Sequence, residues 1–231
     1  MADAPTTARA RARVAMTADI KAAARRQLAE HGPAGLSLRA VARELGVVSS
    51  AVYRYVASRD ELVTLLIIDA FDAVGEVAEV AVADGRGSFE ARWCRLCRAV
   101  RGWAVDNPHD YALVYGSPVP GYRAPDDTVV PALRVTSAAV GLVADGVRRG
   151  EVVTGADGPV ARPVHADFAG MRAAFGVELD DAVVSRTLVA WTWLLGHVSY
   201  ELFGHLHRGV TDYDAFFDHQ AARAARELAG R

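Results

Sequence analysis

Apolar residues recur at helical spacing along almost the whole chain, and runs that alternate as a strand requires are few. Thr17, Asp19, Ile20, Ala23, Ala24, Gln27 and Leu28 mark an amphipathic first helix, stopped by Gly32 and Pro33. In 37–45 the apolar Leu38, Val41, Ala42 and Leu45 form one stripe, while Arg39, Arg43 and Glu44 fall opposite. Gly46 follows directly, where a left-handed residue ends a helix without steric penalty. Residues 49–56 start again with Val52 and Val56 at i and i+4, leaving Ser49, Ser50, Ala51, Tyr53, Arg54 and Tyr55 on the other faces. A helix this short is unstable alone, so Val47 in the turn and Leu28 before it are the expected clamps. Ser58-Arg-Asp-Glu61 reads as a capping box opening a long apolar run over 62–82.

The helical period continues through 89–105, through 110–115 behind Pro108, through 128–149 up to Gly150, and through 165–175, 180–207 and 213–228. Two loops interrupt it: 116–125, whose prolines remove donors and fix φ, and the glycine-rich 152–163. The predicted fold is all-α. A disordered arm, 1–16, precedes a three-helix helix-turn-helix head, 17–60, and a larger helical domain, 61–231. The segment 188–206 is apolar on nearly every side. A membrane span is rejected there because it holds His197, Glu201 and His205, which are costly in a bilayer. Such a helix must be buried by its own core on one face and by a partner on the other, which predicts a homodimer.

Length and composition agree with a small head and one larger core, at 231 residues and 52% hydrophobic. Charge is uneven: residues 1–59 hold 10 Lys+Arg against 4 Asp+Glu, a net of +6, whereas the whole chain is −2, leaving −8 for the rest. Basic charge in the head is the footprint expected of a phosphate-binding surface, with binding that weakens steeply in salt. The first sixteen residues, with Arg9, Arg11 and Arg13, lack apolar periodicity, which predicts disorder. Arginines on such an arm either reach an adjacent minor groove or simply solubilise the chain. There is no apolar core of a secretory signal and only two cysteines, which points to the cytoplasm.

Residues 17–65 resemble the DNA-binding domain of the tetracycline-repressor (TetR) family. Gly32, Ser37, Ala42, Leu45, Gly46, Val47, Tyr53, Tyr55, Val56, Ser58, Arg59 and Leu62 stand at the spacing of that family's pattern. Val48 departs from it, standing where the family has a small polar residue to cap the recognition helix. The expectation is that Ser49 or Ser50 takes over the cap, or that the helix start is frayed until DNA orders it. The resemblance implies that Ser37, with the backbone N–H groups beside it, and Tyr53 and Arg59 hold phosphates, and that Arg39 reaches a phosphate or a base edge. Ser49, Ser50, Ala51, Arg54 and Tyr55 are left for the bases, with Arg54 to guanine as the most discriminating contact. Residues 88–220, through Gly-Ser-Pro-Val-Pro-Gly-Tyr at 116–122 and Trp191 to His205, resemble the regulatory domain of a TetR branch named for a Trp-His-Gly signature. That resemblance implies a four-helix dimer bundle from 180–207 and 213–228, with Gly196, Ser199 and Gly204 allowing close approach. A two-fold dimer matches a palindromic double-stranded operator.

The expected activity is therefore a ligand-responsive regulator, a repressor, on the nucleoid. A small apolar or aromatic effector, lined by Trp93, Trp103, Tyr111, Tyr115, Phe168, Trp193 and His197, would shift the spacing of the two heads. No catalytic residue and no cofactor is assigned. His197, Glu201 and His205 at i, i+4 and i+8 are too spread to share one metal ion, so none is assigned. Alternative readings are a thiol redox sensor using Cys94 and Cys97, or a helical ligand-binding protein without DNA binding.

Overall fold

The computed structural model describes residues 7–155 and 160–231, and residues 1–6 of the expected arm and 156–159 of the second loop lie outside them. The described residues are helical without a strand, in ten α-helices. They are α1 (Ala8–His31), α2 (Leu38–Glu44), α3 (Ser49–Tyr53), α4 (Arg59–Ala83), α5 (Phe89–Asp106), α6 (Pro108–Tyr115), α7 (Val129–Arg148), α8 (Arg162–Phe175), α9 (Asp181–Leu202) and α10 (Tyr213–Leu228).

The chain divides into two compact units that do not follow the expected boundary at 60/61. Among the described residues, the first takes 7–70 and 107–129, the second 71–106, 130–155 and 160–231. The reason is that α4 runs unbroken past residue 60, and α6 returns to pack against α1. A charge cluster fixes that return. Arg25 on α1 pairs with Asp69 of α4 at 3.0 Å and with Asp110 of α6 at 3.2 Å, and Lys21 reaches Asp69 at 2.8 Å. Burial lifts the Asp110 carboxyl above its ordinary value against the pull of Arg25.

The predicted disorder of 1–16 is corrected for its described part. The first helix starts at Ala8, with Thr7 as N-cap accepting from the Ala10 N–H at 3.2 Å. Alanine and arginine are strong helix formers. Once the buried turns around Ile20 have nucleated α1, adding residues at its end costs little, so no apolar period is needed.

Within the head the local rules hold. Gly46 has φ +67°, the Val47 N–H donates to Ala42 O at 3.0 Å, and the Gly46 N–H donates to Arg43 O at 3.2 Å, which closes α2 with a Schellman motif. The capping box forms at α4, where Ser58 Oγ accepts from the Glu61 N–H at 3.0 Å. Glu61 reaches back one residue further than expected, to the Ala57 N–H at 2.6 Å. The recognition helix is shorter than expected, ending at Tyr53, with Arg54 as its C-cap.

In the second unit α10 packs on α5 and α9. Arg92 of α5, 1% exposed, donates to Asp145 at 2.5 Å and to the Glu151 carboxylate, while Glu151 also accepts the Phe89 N–H at 3.0 Å. One guanidinium thus joins α5 to the end of α7 and to the chain beyond it. Among the described residues, one stretch, Asp126–Arg148, is long and apolar enough by composition to cross a membrane. It contains α7, which turns Val135, Ala139, Val140, Val143 and their neighbours into the unit's core while its Arg134 pairs with Asp72 and Glu79.

The last long helix before α10 also ends early. α9 stops at Leu202 rather than His207, because Gly204 takes φ +78° and the His205 N–H turns back to Tyr200 O at 2.8 Å. Gly204 therefore acts as a helix terminator, and His205 leaves the line of His197 and Glu201. Replacing Arg92 with alanine cuts the link from α5 to the end of α7, while Asp145 keeps Arg149 at 2.7 Å and Arg148 at 3.1 Å and Glu151 keeps the Phe89 N–H. The expected loss is about 1–3 kcal/mol of unfolding free energy, read from urea denaturation.

Candidate nucleic-acid interface

The recognition helix is built by opposing demands on five residues. Val52 is 1% exposed and Val56 fully buried, which anchors α3 from one side. Ser50, Tyr53 and Arg54 stand exposed, with Ser49, Ala51 and Tyr55 half-buried. The helix has no side-chain cap: Val48 occupies the N-cap in extended conformation, and only its carbonyl is used, accepting from the Ala51 N–H at 2.9 Å. Neither Ser49 nor Ser50 takes over. Val48 is 70% exposed, an apolar side chain at the head of the reading surface that its type alone would have sent inward.

Four residues expected at phosphates surround one open concavity of about 510 Å³, lined by Ser37, Arg39, Tyr53 and Arg59 with Leu36 and Ser58 among their neighbours. The Ser37 hydroxyl makes no cap bond, and the Ser37 N–H donates to the side-chain oxygen of the buried Gln27 at 3.2 Å. Arg59 is more constrained than expected, since its guanidinium donates to Pro33 O at 2.8 Å and faces Asp60 at 3.3 Å. Arg39, Arg43 and Arg54 are exposed and, among the described residues, form no ion pair.

The residues expected around an effector are divided between the two units. Tyr111 and Tyr115 belong to the first unit, with ring centroids 5.2 Å apart, and Tyr111 is fully buried. The other five belong to the second. There Trp193 lies 5.5 Å from His197 and 5.8 Å from Phe217, while Trp93 is stacked on Phe89 at 6.3 Å, fully buried. Trp103 on α5 and Phe168 on α8 are also buried. An apolar cavity of about 60 Å³ between α7, α8 and α9 is lined by Val140, Met171, Phe175, Leu188, Trp191 and others, and by none of the seven. Helical spacing shows which side chains turn inward but not which neighbouring helices they meet.

Glu201 is held by Arg101 through two hydrogen bonds of 2.7 Å, and His205 instead packs on Tyr200. Cys94 and Cys97 are buried free thiols on α5. Burial pushes Cys94 above its ordinary value and Cys97 well above it, which disfavours the thiolate that thiol redox chemistry uses.

A clamped short helix, a glycine turn and an outward face of hydroxyls, tyrosines and unpaired arginines define a helix-turn-helix DNA-binding protein. Residues 20–66 match the family model for bacterial regulatory proteins, tetR family, and residues 93–224 match the tetracyclin repressor-like C-terminal domain. The chain is 45% identical over 224 residues to the HTH-type transcriptional regulator Rv1816 of Mycobacterium tuberculosis (strain ATCC 25618 / H37Rv), 94% of each being covered. The same figures hold for the HTH-type transcriptional regulator Mb1846 of Mycobacterium bovis (strain ATCC BAA-935 / AF2122/97). The crystal structure of SCO4313 superposes with a TM-score of 0.78 at 32% identity, covering 97% of this chain and 100% of that one. A protein of unknown function from Rhodococcus sp. RHA1 shares the fold, with a TM-score of 0.70 at 24% identity, over 93% of this chain and 95% of that one. The chain belongs to the TetR family of DNA-binding transcriptional regulators, which are not enzymes.

Three substitutions check the interface. Val48→Thr supplies the missing cap and is expected to raise unfolding free energy by about 1 kcal/mol, measured in urea. Tyr53→Phe is expected to weaken all DNA sequences alike, and Arg54→Ala to relax preference at one base pair, both measured by fluorescence anisotropy over a set of single-base operator variants.

Proposed function

We propose that this regulator is a homodimeric repressor that reads a palindromic operator and is released by a small apolar or aromatic effector, in the cytoplasm on the nucleoid. The dimer reading rests on α9. Val189, Trp193, Gly196 and Tyr200, with Phe203 just past the helix end, fall at intervals of 4, 3, 4 and 3 residues and so share one stripe. Val189 is 61%, Tyr200 58% and Phe203 47% exposed, although they are large and apolar. A methyl group at Gly196, in the middle of the stripe, would meet nothing within 4 Å in the single chain. A second copy of α9 and α10 covers this stripe in the bundle, and Gly196 lets it come close. Phosphate contacts from Ser37, Arg39, Tyr53 and Arg59 then hold each head, while Ser49, Ser50, Ala51, Arg54 and Tyr55 face the bases.

The observation that carries the effector reading is a pair of buried ring nitrogens. Trp93 Nε1 and His197 Nε2 meet no hydrogen-bond partner among the described residues. Buried polar atoms are rarely left so, and a ligand with a polar atom among the aromatic rings of the second unit supplies what is missing. Burial holds the His197 imidazole below its ordinary value, which favours the neutral ring. The Arg25 pairs with Asp69 and Asp110 tie α1 to α4 and α6, so a movement of those helices moves the head. The effector acts only through unequal affinity for the two head spacings.

Tyr200→Glu tests the dimer. The expected result is a monomer in analytical ultracentrifugation with operator binding lost, and a dimer that keeps full affinity contradicts the interface. Trp93→Phe and His197→Ala are expected to weaken effector-induced release without changing operator affinity, measured with compounds that raise the melting temperature of the wild-type chain. The double variant Cys94→Ser, Cys97→Ser is expected to keep both operator binding and release, because neither thiol takes part.

A further inference from the structure

We propose that the N-terminal half of α1 is a second DNA-contacting element, in which Arg9 and Arg13 hold the phosphate backbone of the operator beside the half-site read by α3. The proposal rests on the DNA-binding reading of the head and extends its footprint. The first buried residue of α1 is Ile20, so residues 8–19 form helix that the head's core does not require. At 1.5 Å per residue, Arg9 stands about 16 Å along the axis from Ile20. This projecting helix lies beside the reading surface: the Arg13 guanidinium sits over the Tyr55 ring, 5.6 Å from its centroid. Tyr55 stands just past the C-cap of α3, Arg54.

Side chains four residues apart on a helix are separated by about 40°, so Arg9 extends the Arg13 side one turn outward. Arg11 is about 160° away and faces the opposite direction. Residues 7–18 contain no acidic residue, and among the described residues Arg9, Arg11 and Arg13 make no ion pair. Arg9, in the first turn of α1, is also placed unfavourably in the free protein. The positive end of a helix dipole repels cations, and the first turn of α1 holds no acid to offset it. Elsewhere the arginines of this chain are largely paired: Arg25, Arg26, Arg92, Arg95, Arg98, Arg101, Arg134 and Arg172 all face carboxylates. A cationic ridge left unpaired next to a DNA-reading helix fits a polyanion, and phosphates flanking the major-groove contact are the anions within its direction of reach.

The test uses the full-length chain and a duplex enriched by it from a random-sequence pool, prepared with and without flanks of about half a helical turn, ~5 bp. Anisotropy is measured across a salt series. With the flanked duplex, Arg9→Ala and Arg13→Ala are each expected to lower the slope of log affinity against log salt by about 0.9, and the pair by about 1.8. The double variant is expected to bind roughly tenfold more weakly near physiological salt, alike for all flanking sequences. Arg11→Ala is expected to match the wild type, and removing the flanks to erase the difference between wild type and double variant. An unchanged slope in the double variant overturns the assignment, as does an Arg11→Ala effect equal to that of Arg9→Ala, which marks diffuse charge. If the wild type itself shows no salt-sensitive binding, the DNA reading of the head fails, and the assignment with it.

Discussion

A helix of five residues has no stability of its own, and the function of this protein depends on having one held in place. Val52 and Val56 sink it into the head, the Schellman turn at Gly46 sets its direction, and the Ser58–Glu61 box starts α4 immediately behind it. Because these contacts use one side only, Ser50, Tyr53 and Arg54 are left facing outward on a rigid base. No side chain caps the start of α3, so its order comes entirely from this packing.

The distribution of arginine follows from the same division of labour. In the second unit arginines fasten helices to one another, as Arg92 joins Asp145 and Glu151, and Arg101 holds Glu201 while lying over the Phe217 ring. In the head only some do so: Arg25 fixes α1 to α4 and α6, while Arg39, Arg43 and Arg54 stand unpaired on the surface. Net charge by region shows the contrast only coarsely. Pairing shows which cations are available to an anion from outside.

The head was legible in the sequence because each of its signals is local. A glycine after Leu45, a serine three residues before Glu61 and valines at i and i+4 each dictate their own geometry. The extent of α1 was not, since 8–16 lack an apolar stripe and their helicity comes from continuing an already formed helix. The end of α9 was misplaced because apolar residues continue to Leu206, whereas the chain turns at Gly204, where φ becomes positive. The effector site was the least legible part. Trp93, Tyr111 and Phe168 do turn inward, but which helices they meet is a matter of tertiary packing that spacing along one helix does not contain.

In the dimer we propose, the apolar stripe of α9 and the polar face of α3 serve one requirement: a palindrome is read only if two copies of the short helix are held at a fixed separation. The most direct measurement is the stoichiometry and salt dependence of the intact chain on the duplex it selects from a random pool. The account predicts two chains per duplex, sub-micromolar affinity and a steep loss of binding as salt rises. A single chain bound per duplex, or binding indifferent to salt, would contradict it.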